Sequence, residues 1–349
     1  MESNNKNKHK LFYVENDNLK LISIWNKFVD EKLHSPFGYH SLRVILSKSF
    51  KIETFSLLVL DENNSVSGFC LAFFNQKEKI LYSFKYGFFA KDEESQKILK
   101  NEILAIYKKN NLYKVVISCE QSITNIFKKK IEKITFHIPL LFNDKESLWH
   151  SLPPKCKNKI RRAKKNGILT SISWENLEVF YQIYTDHCIH KGLGIKPFSY
   201  FEQIRDCLED KSILICGILD EKVISGMIFI YSKGFAHYIY NSSIKSGVPN
   251  GTNNLIMWET MVYFFNKKIS YIDLSESKLG SPVYKFKKNL SKKIITKKIY
   301  YFIFGNDKSS FLVRLKGNFL SLIEKILPIL SAKLQKKILL FKGRSGRLI

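Results

Sequence analysis

The chain has 349 residues, 45% of them apolar, which is enough for two ordinary domains that each bury a core. Its 57 Lys and Arg against 31 Asp and Glu leave a formal net charge of +26. Such an excess favours an anionic partner: nucleic acid, a phosphorylated substrate or an anionic membrane surface. We expect disorder only in residues 1–10. No signal peptide and no spanning helix of roughly 18 apolar residues is predicted, so we expect a cytoplasmic protein, soluble or peripheral on the inner face of the membrane.

The six cysteines have no C-x-x-C spacing, and most lie in apolar runs where a reduced thiol packs as a small hydrophobic side chain. The pattern favours a reducing compartment and argues against zinc. His187 and His190 have neither a third ligand nor an acidic companion nearby, so we interpret both as surface or core residues. We predict no metal site and no bound cofactor.

Apolar periodicity predicts the same order of elements twice along the chain: two helices, a hairpin, a third strand, a helix and a last strand. In the first half these are residues 19–32, 39–49, 55–60 with 66–74, 80–89, 93–110 and 113–118. In the second half they are residues 177–188, 200–208, 213–219 with 223–231, 235–241, 252–267 and 271–274. Short phrases recur in the same order, and subtraction of their positions gives 161 for Pro36 and Pro197, and 158 for Tyr113 and Tyr271. We infer a tandem duplication of one α/β unit.

A basic stretch separates the two copies. Seven of the eleven residues from Lys155 to Lys165 are Lys or Arg, and none is acidic. We predict a helix with Ser151 as N-cap and Gly167 in the left-handed position after its last turn. An apolar stripe of Cys156, Ile160 and Ala163 leaves the cations to cover the remaining surface. Two interpretations stay open: a solvated connector, or an anion-binding helix.

This sequence of elements resembles the GNAT acyltransferase fold, and two such units joined by a basic segment resemble the FemABX family. The specific parts are a W-x-x-L-x-x-K-x-x-x-x-I-R-R-A-K-K-x-G phrase that starts at Trp149, and a Y-x-F-K-K phrase at Tyr284–Lys288. The resemblance implies an α/β fold of two tandem GNAT-like units joined by a basic helix, with a basic helical C-terminal tail. We predict units at residues 11–145 and 169–304, the connecting helix at 146–168 and the tail at 305–349.

The resemblance also implies an enzyme that forms an amide bond by transferring an acyl or aminoacyl group to an amine. The donor would be acyl-CoA or aminoacyl-tRNA. The acceptor would be an amine, with or without a phosphate or lipid group, such as a cell-wall or surface-polysaccharide precursor. Donor and acceptor would be held mainly in the second unit, with the first unit as a scaffold or degenerate copy. The basic helix would present Arg161 and Arg162 beside the cleft of the second unit.

Three stretches of the second half are predicted to carry the site. A loop ending at Gly251 runs into a helix whose N-cap we expect at Thr252, where free amides attract phosphate or carboxylate; Asn253 and Asn254 follow. An ordinary turn and cap is the alternative. The usual GNAT phrase R-x-x-G-x-G/A is missing here, and its absence argues against acetyl-CoA as the donor.

The second stretch follows the last predicted strand, because loops at the carboxyl ends of strands bind ligands in α/β folds. We predict Asp273 as general base with Ser277 and Lys278 as hydrogen-bond donors, or Asp273 as a structural cap of the loop. Family members have a glycine and an arginine where this chain has Ser275 and Glu276, so the charge in the predicted pocket is reversed.

The third stretch is Tyr284–Lys288, which we interpret as a strand. Alternation would then place Lys285 and Lys287 on one side, where two ammonium groups could clamp a diphosphate. In the family the lysine of the F-K pair is associated with substrate phosphate, so Lys287 is our first choice for binding. A solvated edge lysine is the alternative.

The basic tail has an apolar stripe from Phe319 to Ile338, which would suit either an anionic membrane surface or docking on the second unit. The competing class of function is a non-catalytic protein that binds nucleic acid or an anionic membrane on a duplicated scaffold.

Overall fold

The computed structural model describes residues 9–33, 35–76, 78–120, 129–305 and 332–345. Within these ranges twelve strands pair into one sheet, and helices cover both of its faces. The strands are β1 (Lys10–Tyr13), β2 (Glu53–Leu60), β3 (Val66–Asn75), β4 (Ile80–Ala90), β5 (Lys114–Cys119), β6 (Lys129–Pro139), β7 (Leu169–Ile172), β8 (Ser212–Leu219), β9 (Lys222–Ser232), β10 (Phe235–Ser243), β11 (Tyr271–Glu276) and β12 (Ile295–Gly305). The α-helices are α1 (Leu19–Lys32), α2 (Ser41–Phe50), α3 (Glu93–Lys109), α4 (Lys145–His150), α5 (Pro154–Lys165), α6 (Leu177–Lys191), α7 (Phe198–Leu208), α8 (Thr252–Asn266), α9 (Pro282–Lys288) and α10 (Ala332–Ser345).

The two halves repeat one topology, as the sequence predicts. In the first half β2, β3 and β4 are antiparallel and β4 pairs with β5 in parallel. In the second half β8, β9 and β10 are antiparallel and β10 pairs with β11 in parallel. The helices and strands predicted for the two repeats are present, with ends shifted by a few residues. This confirms the α/β class and the tandem units.

The halves exchange strands at the centre of the sheet, where the order is β5-β12-β6-β11. Strand β6 follows β5, the last strand of the first repeat, but pairs with β11 of the second. Strand β12 follows the second unit but pairs with β5 of the first, and β6 and β12 pair with each other. The predicted domain boundaries stay a prediction, and the exchange joins both units into one continuous sheet.

Alternation along the strands builds a core on each face of the sheet. In β9, Ile228 and Ile230 belong to the core under α1, α2, α6 and α7, whereas Met227 and Phe229 belong to the core under α8. The first of these cores also contains Trp25 of the first half. Because this apolar core contains helices from both units, separating the units would expose it to water.

Each parallel pair is short, and its strands then diverge. Pairing of β10 with β11 ends at His237 and Asp273, and β10 shifts register between Tyr238 and Tyr240. Strands that part in this way leave a gap between them at the carboxyl end of β11, which is the position where α/β sheets bind ligands.

The basic helix is present as α5, and its stripe of Cys156, Ile160 and Ala163 is buried. Pro153 is the N-cap and Gly167 has a φ of +77°, so the predicted end is confirmed. The predicted N-cap is wrong: Ser151 ends the short preceding helix α4, a turn that the sequence interpretation missed.

Helix α5 packs against α8. Asn254 Nδ2 donates to Cys156 Sγ at 3.4 Å, and Lys164 Nζ lies 3.0 Å from Glu259 Oε1. The backbone of Gly251, with a φ of +101°, lies directly against Lys159. The connecting helix is therefore part of the second half's packing, with its cations on the outer side.

Much of the predicted tail, residues 306–331, lies outside the described residues, as do residues 1–8. Helix α10 packs on α6, where Leu339 is buried and its carbonyl accepts from Ile195 N at 2.9 Å. Lys342 Nζ donates to Gly192 O, just past the carboxyl end of α6, at 2.8 Å. In the described part of the chain, none of the helices combines the length and the apolar character needed to cross a bilayer.

Two glycines of one loop test the close approach of α5 and α8. A Cβ on Gly251 would lie 2.1 Å from Lys159 O, whereas a Cβ on Gly247, with a φ of +81°, would meet nothing within 4 Å. Gly247→Ala should lower the free energy of unfolding by about 1 kcal/mol, the strain of its backbone alone. Gly251→Ala should lower the free energy of unfolding by about 2 kcal/mol more than Gly247→Ala does, because α5 must move away from the new methyl group. Equal losses in urea titrations would contradict this packing.

Candidate active site

A fully buried carboxylate, Asp273, lies where β10 and β11 part. Its Oδ1 accepts from the hydroxyl of Thr135 and from Ser275 N, the latter at 2.7 Å. Its Oδ2 accepts from Tyr86 Oη at 3.2 Å and from Lys85 Nζ at 3.5 Å. Two ring nitrogens also face Oδ2, His237 Nδ1 at 3.0 Å and His137 Nε2 at 3.7 Å. We call this group the Asp273 cluster: Lys85, Tyr86, Thr135, His137, His237, Asp273 and Ser275.

Strand register explains why these side chains meet. His237 of β10 and His137 of β6 are the direct neighbours of Asp273 on either side. Directly opposed residues place their side chains on the same face of a sheet. Lys85 and Tyr86 reach the cluster from β4 of the first half, where Tyr86 has a φ of +53°. The cluster therefore joins side chains from both units and from the exchanged strand β6.

The electrostatics keep Asp273 charged. Burial alone raises the pKa of its carboxyl, but His237, Lys85 and the hydrogen bonds together hold that pKa well below its usual 3.8. Burial lowers the pKa of His237 to about 4 despite the neighbouring carboxylate, so the ring is neutral at pH 7. Burial, reinforced by the charge of Asp273, raises the pKa of Tyr86 well above 10 and keeps its hydroxyl a donor.

Glu276, the residue that replaces the family's arginine, is neutralised within the site. Lys133 Nζ of β6 donates to its carboxylate at 2.5 Å, and the hydroxyl of Tyr301 on β12 donates to the other oxygen. Burial raises the pKa of this carboxyl. The two hydrogen bonds, with the charges of Lys85 and Lys133, lower it by a larger amount, so the pKa is below its ordinary value. The negative charge of Glu276 is thus compensated by side chains of the two exchanged strands, β6 and β12.

Lys287 lies on α9, so the predicted strand at Tyr284–Lys288 is wrong. The helix is capped by Ser281, whose side chain accepts from Tyr284 N, with Pro282 at its first position. Serine followed by proline is a helix start, and that signal outweighs the short alternation. Lys285 and Lys287 are about 200° apart on a helix and cannot form the predicted clamp. Lys285 is exposed, whereas Lys287 is buried.

The ammonium group of Lys287 is held by backbone carbonyls. Its Nζ donates to Ser275 O at 3.0 Å and to Glu276 O at 3.1 Å. Burial lowers the pKa of Lys287 to about 8; Lys85 adds to that lowering, while Asp273 and Glu276 oppose it. Ser275 therefore links the two groups, since its N–H binds Asp273 and its carbonyl binds Lys287.

Lys287 lines a cavity of about 340 Å³ between the diverging strands and α6, α8 and α9. We call it the β10–β11 pocket. Its walls are mostly apolar, with a few polar groups, which is usual for a small-molecule site. The lining residues are His187, Tyr238, Asn241, Ser243, Asn253, Met257, Leu274, Pro282, Val283, Phe286, Lys287 and Leu290.

The structure places two of the predicted site residues at this pocket, Lys287 and Asn253. Asn253 Oδ1 accepts from Ser225 Oγ at 2.7 Å. Helix α8 begins at Thr252 with Gly251, not Thr252, as N-cap. Gly251, Thr252 and Asn254 are buried, and Gly251 and Asn254 contact α5.

The other predicted residues lie elsewhere. Ser277 and Lys278 follow β11, and Lys278 is exposed. Arg161 and Arg162 are exposed on α5. The pocket is lined by Asn253 and Met257 of α8, while Lys164 of α5 contacts Glu259, which lies about 200° around the helix from Met257. The basic helix therefore lies across α8 from the pocket.

Sequence interpretation missed most of the polar residues that surround Asp273 and the pocket. His137 and His237 stand among apolar residues near one end of β6 and of β10, an unusual place for a polar side chain, and that signal could have been followed. Lys85, Tyr86 and Thr135 gave no comparable signal, because their contacts depend on strand exchange. His187 was dismissed as a lone histidine, yet it lines the pocket.

The chain matches no protein-family model, and no curated protein sequence matches it. In fold it is similar to the crystal structure of FemX, with a TM-score of 0.65 and 14% identity over 84% of this chain and 97% of that chain. L-PGS from Bacillus licheniformis gives a TM-score of 0.55 and 13% identity over 87% and 97% of the two chains. A tandem GNAT protein from the clavulanic acid biosynthesis pathway gives a TM-score of 0.53 and 8% identity over 86% of this chain and 100% of that chain. These likenesses confirm a FemABX/GNAT-like fold of two tandem units.

The buried histidine predicts how stability depends on pH. Between pH 6.5 and about 4 the unfolded chain protonates His237 while the folded chain does not, so the free energy of unfolding should fall as the pH falls. The full effect of this group is about 3 kcal/mol. Asp273 stays charged throughout that window, because its folded pKa is below 3.8. His237→Gln should flatten the decline in denaturant titrations at pH 7, 6 and 5. An unchanged slope would contradict a buried neutral ring.

Proposed function

We propose that the protein is an acyltransferase that forms an amide bond in the β10–β11 pocket. The observation that carries the proposal is the buried ammonium group of Lys287 at the wall of a largely apolar cavity, at the point where the parallel strands part. The FemABX/GNAT-like fold supports it, because the sequence motifs resemble a family that transfers acyl and aminoacyl groups.

The reaction needs a positive group where negative charge develops. When an amine attacks the donor carbonyl, the oxygen becomes an oxyanion while the C–N bond forms. The C–S bond of a thioester or the C–O bond of an aminoacyl ester then breaks. Lys287 is placed to stabilise that oxygen, or to bind a substrate phosphate as the family resemblance suggests. Its two carbonyl acceptors fix the position of its ammonium group.

Asp273 would act indirectly. Its carboxylate is fully buried and its pKa is lowered, which makes it a weak base without access to substrate. By accepting from Ser275 N it holds the backbone that carries the carbonyl bound to Lys287. We therefore assign Asp273 a positioning role, in line with the structural alternative that the sequence left open.

The donor is acyl-CoA or aminoacyl-tRNA, and the acceptor is an amine. A cavity of about 340 Å³ can hold the reactive end of either donor, not the whole of it. The exposed cations of α5 would suit the phosphates of an RNA donor, but they lie across α8 from the pocket. The choice of donor therefore rests on experiment.

Loss of the ammonium group should impair catalysis more than folding. We expect Lys287→Met to lower kcat/KM by about 10²–10³-fold, the usual effect of removing one oxyanion donor. Lys288→Met, on the exposed side of the same helix, should leave kcat/KM within about twofold of the parent. Release of free thiol from acyl-CoA and of deacylated tRNA would be followed in parallel. Full activity of Lys287→Met would contradict the assignment.

The same assay separates the donors and the alternative class of function. Turnover with an RNA donor should fall steeply between about 50 and 200 mM salt, and Arg161→Glu with Arg162→Glu should raise its KM. Turnover with acyl-CoA should depend only weakly on the salt concentration and on these two substitutions. If neither donor is consumed while RNA or anionic vesicles bind the protein, the non-catalytic alternative is supported.

A further inference from the structure

The β10–β11 pocket is lined by a second basic side chain, which differs from Lys287 in being uncharged near neutral pH. In the described part of the chain, three titratable residues line the cavity: His187, Tyr238 and Lys287. Burial raises the pKa of Tyr238 to about 12, so its hydroxyl keeps its proton. Lys287, with a pKa of about 8, is mostly charged at pH 7. His187 is thus the one lining group in these ranges that is an uncharged base near neutral pH.

The position of His187 follows from α6. The residue is half-buried near the carboxyl end of the helix, beside Cys188, which belongs to the core. Burial lowers the pKa of His187 below 6.5, and the charges of Lys191 and His190 on the same helix lower it further. Lys287 of α9 adds a cation at the pocket, and Lys342 of α10 binds the end of α6. Among the described residues, no carboxylate lines the cavity.

Amide formation needs a base as well as an oxyanion donor. An acceptor amine loses a proton when its nitrogen attacks the carbonyl carbon, and a neutral imidazole within the pocket can take it. We propose that His187 is the general base of the transferase and works on the acceptor amine while Lys287 faces the donor carbonyl oxygen. This inference rests on the function proposed above.

The proton is conserved through the step. His187 takes one proton from the amine as the C–N bond forms. The tetrahedral intermediate then expels a thiolate from acyl-CoA or an alkoxide from the ribose of aminoacyl-tRNA. The imidazolium returns its proton to that leaving group, which departs as a thiol or a hydroxyl, and the neutral ring is restored.

The test compares two histidines of one helix. His190 is exposed three residues after His187 and does not line the cavity. With whichever donor the parent consumes, His187→Gln should lower kcat by about 10²-fold at pH 7, the usual contribution of a general base. The acidic limb of the kcat–pH profile, with an apparent pKa below 6.5, should vanish. His190→Gln should keep both the rate and the limb.

Chemical rescue separates a catalytic from a structural role. Added imidazole should restore the rate of His187→Ala in proportion to the concentration of its neutral form, and it should leave His190→Ala unchanged. Rescue would be expected even if either substitution reduced stability, provided that a folded fraction remains at the assay temperature.

The outcomes distinguish the two proposals. If the parent turns over a donor but His187→Gln keeps its rate and acidic limb, or His187→Ala shows no rescue, the base assignment is overturned and the transferase proposal stands. If the parent turns over neither acyl-CoA nor aminoacyl-tRNA, the transferase proposal fails and the base assignment falls with it. Loss of the acidic limb together with rescue supports both.

Discussion

A single buried carboxylate determines how the two halves of this protein fit together. Moving a carboxylate out of water costs several kcal/mol unless hydrogen bonds and opposite charge replace the lost hydration. Asp273 obtains that replacement from β4 of the first unit, from the exchanged strand β6 and from its own loop. No one unit supplies all of its partners, so the charge is compensated only when both units and the exchanged strand are assembled.

The exchange of β6 and β12 has a direct consequence for the site. Strand β6 brings Thr135 to Asp273 and Lys133 to Glu276, and β12 brings Tyr301 to the same glutamate. The first unit therefore contributes to the site of the second, and the sequence-based description of it as a scaffold or degenerate copy is incomplete. From Asp273 the hydrogen bonds continue through Ser275 to Lys287 at the pocket wall. Rigid support of this kind fixes the position of the ammonium group of Lys287.

Local pattern was enough to predict the repeated unit. Helical periodicity, such as that of Phe180, Tyr184 and Cys188, and the alternation within the hairpins depend on neighbours along the chain. Strands β6 and β12 were missed: four of the first five residues of β6 are Lys or Glu, so that strand resembles a solvated segment. Their pairing across the two units is a non-local contact, which periodicity does not encode. The short helix α9 was misread because alternation over five residues fits a strand as well.

The site was predicted in part, for reasons that differ by residue. Lys287 lines the pocket, but on a helix and not on the predicted strand, and its binding role stays a prediction. Asp273 lies on β11, as the sequence predicts, but its complete burial depends on strands that the sequence did not reveal. The pocket histidine, His187, was missed because a lone histidine without a motif has no local signal that separates a base from a surface residue.

The roles proposed for Lys287 and His187 both depend on acyl transfer between the diverging strands β10 and β11. A crystal structure with an unreactive donor analogue tests it most directly: a thioether or ketone analogue of acyl-CoA, or an amide-linked analogue of the aminoacyl end of tRNA. We expect the reactive carbon to lie in the β10–β11 pocket, with its oxygen, or the atom that replaces it, within hydrogen-bond distance of Lys287 Nζ. A donor bound elsewhere, with this pocket empty, would contradict it.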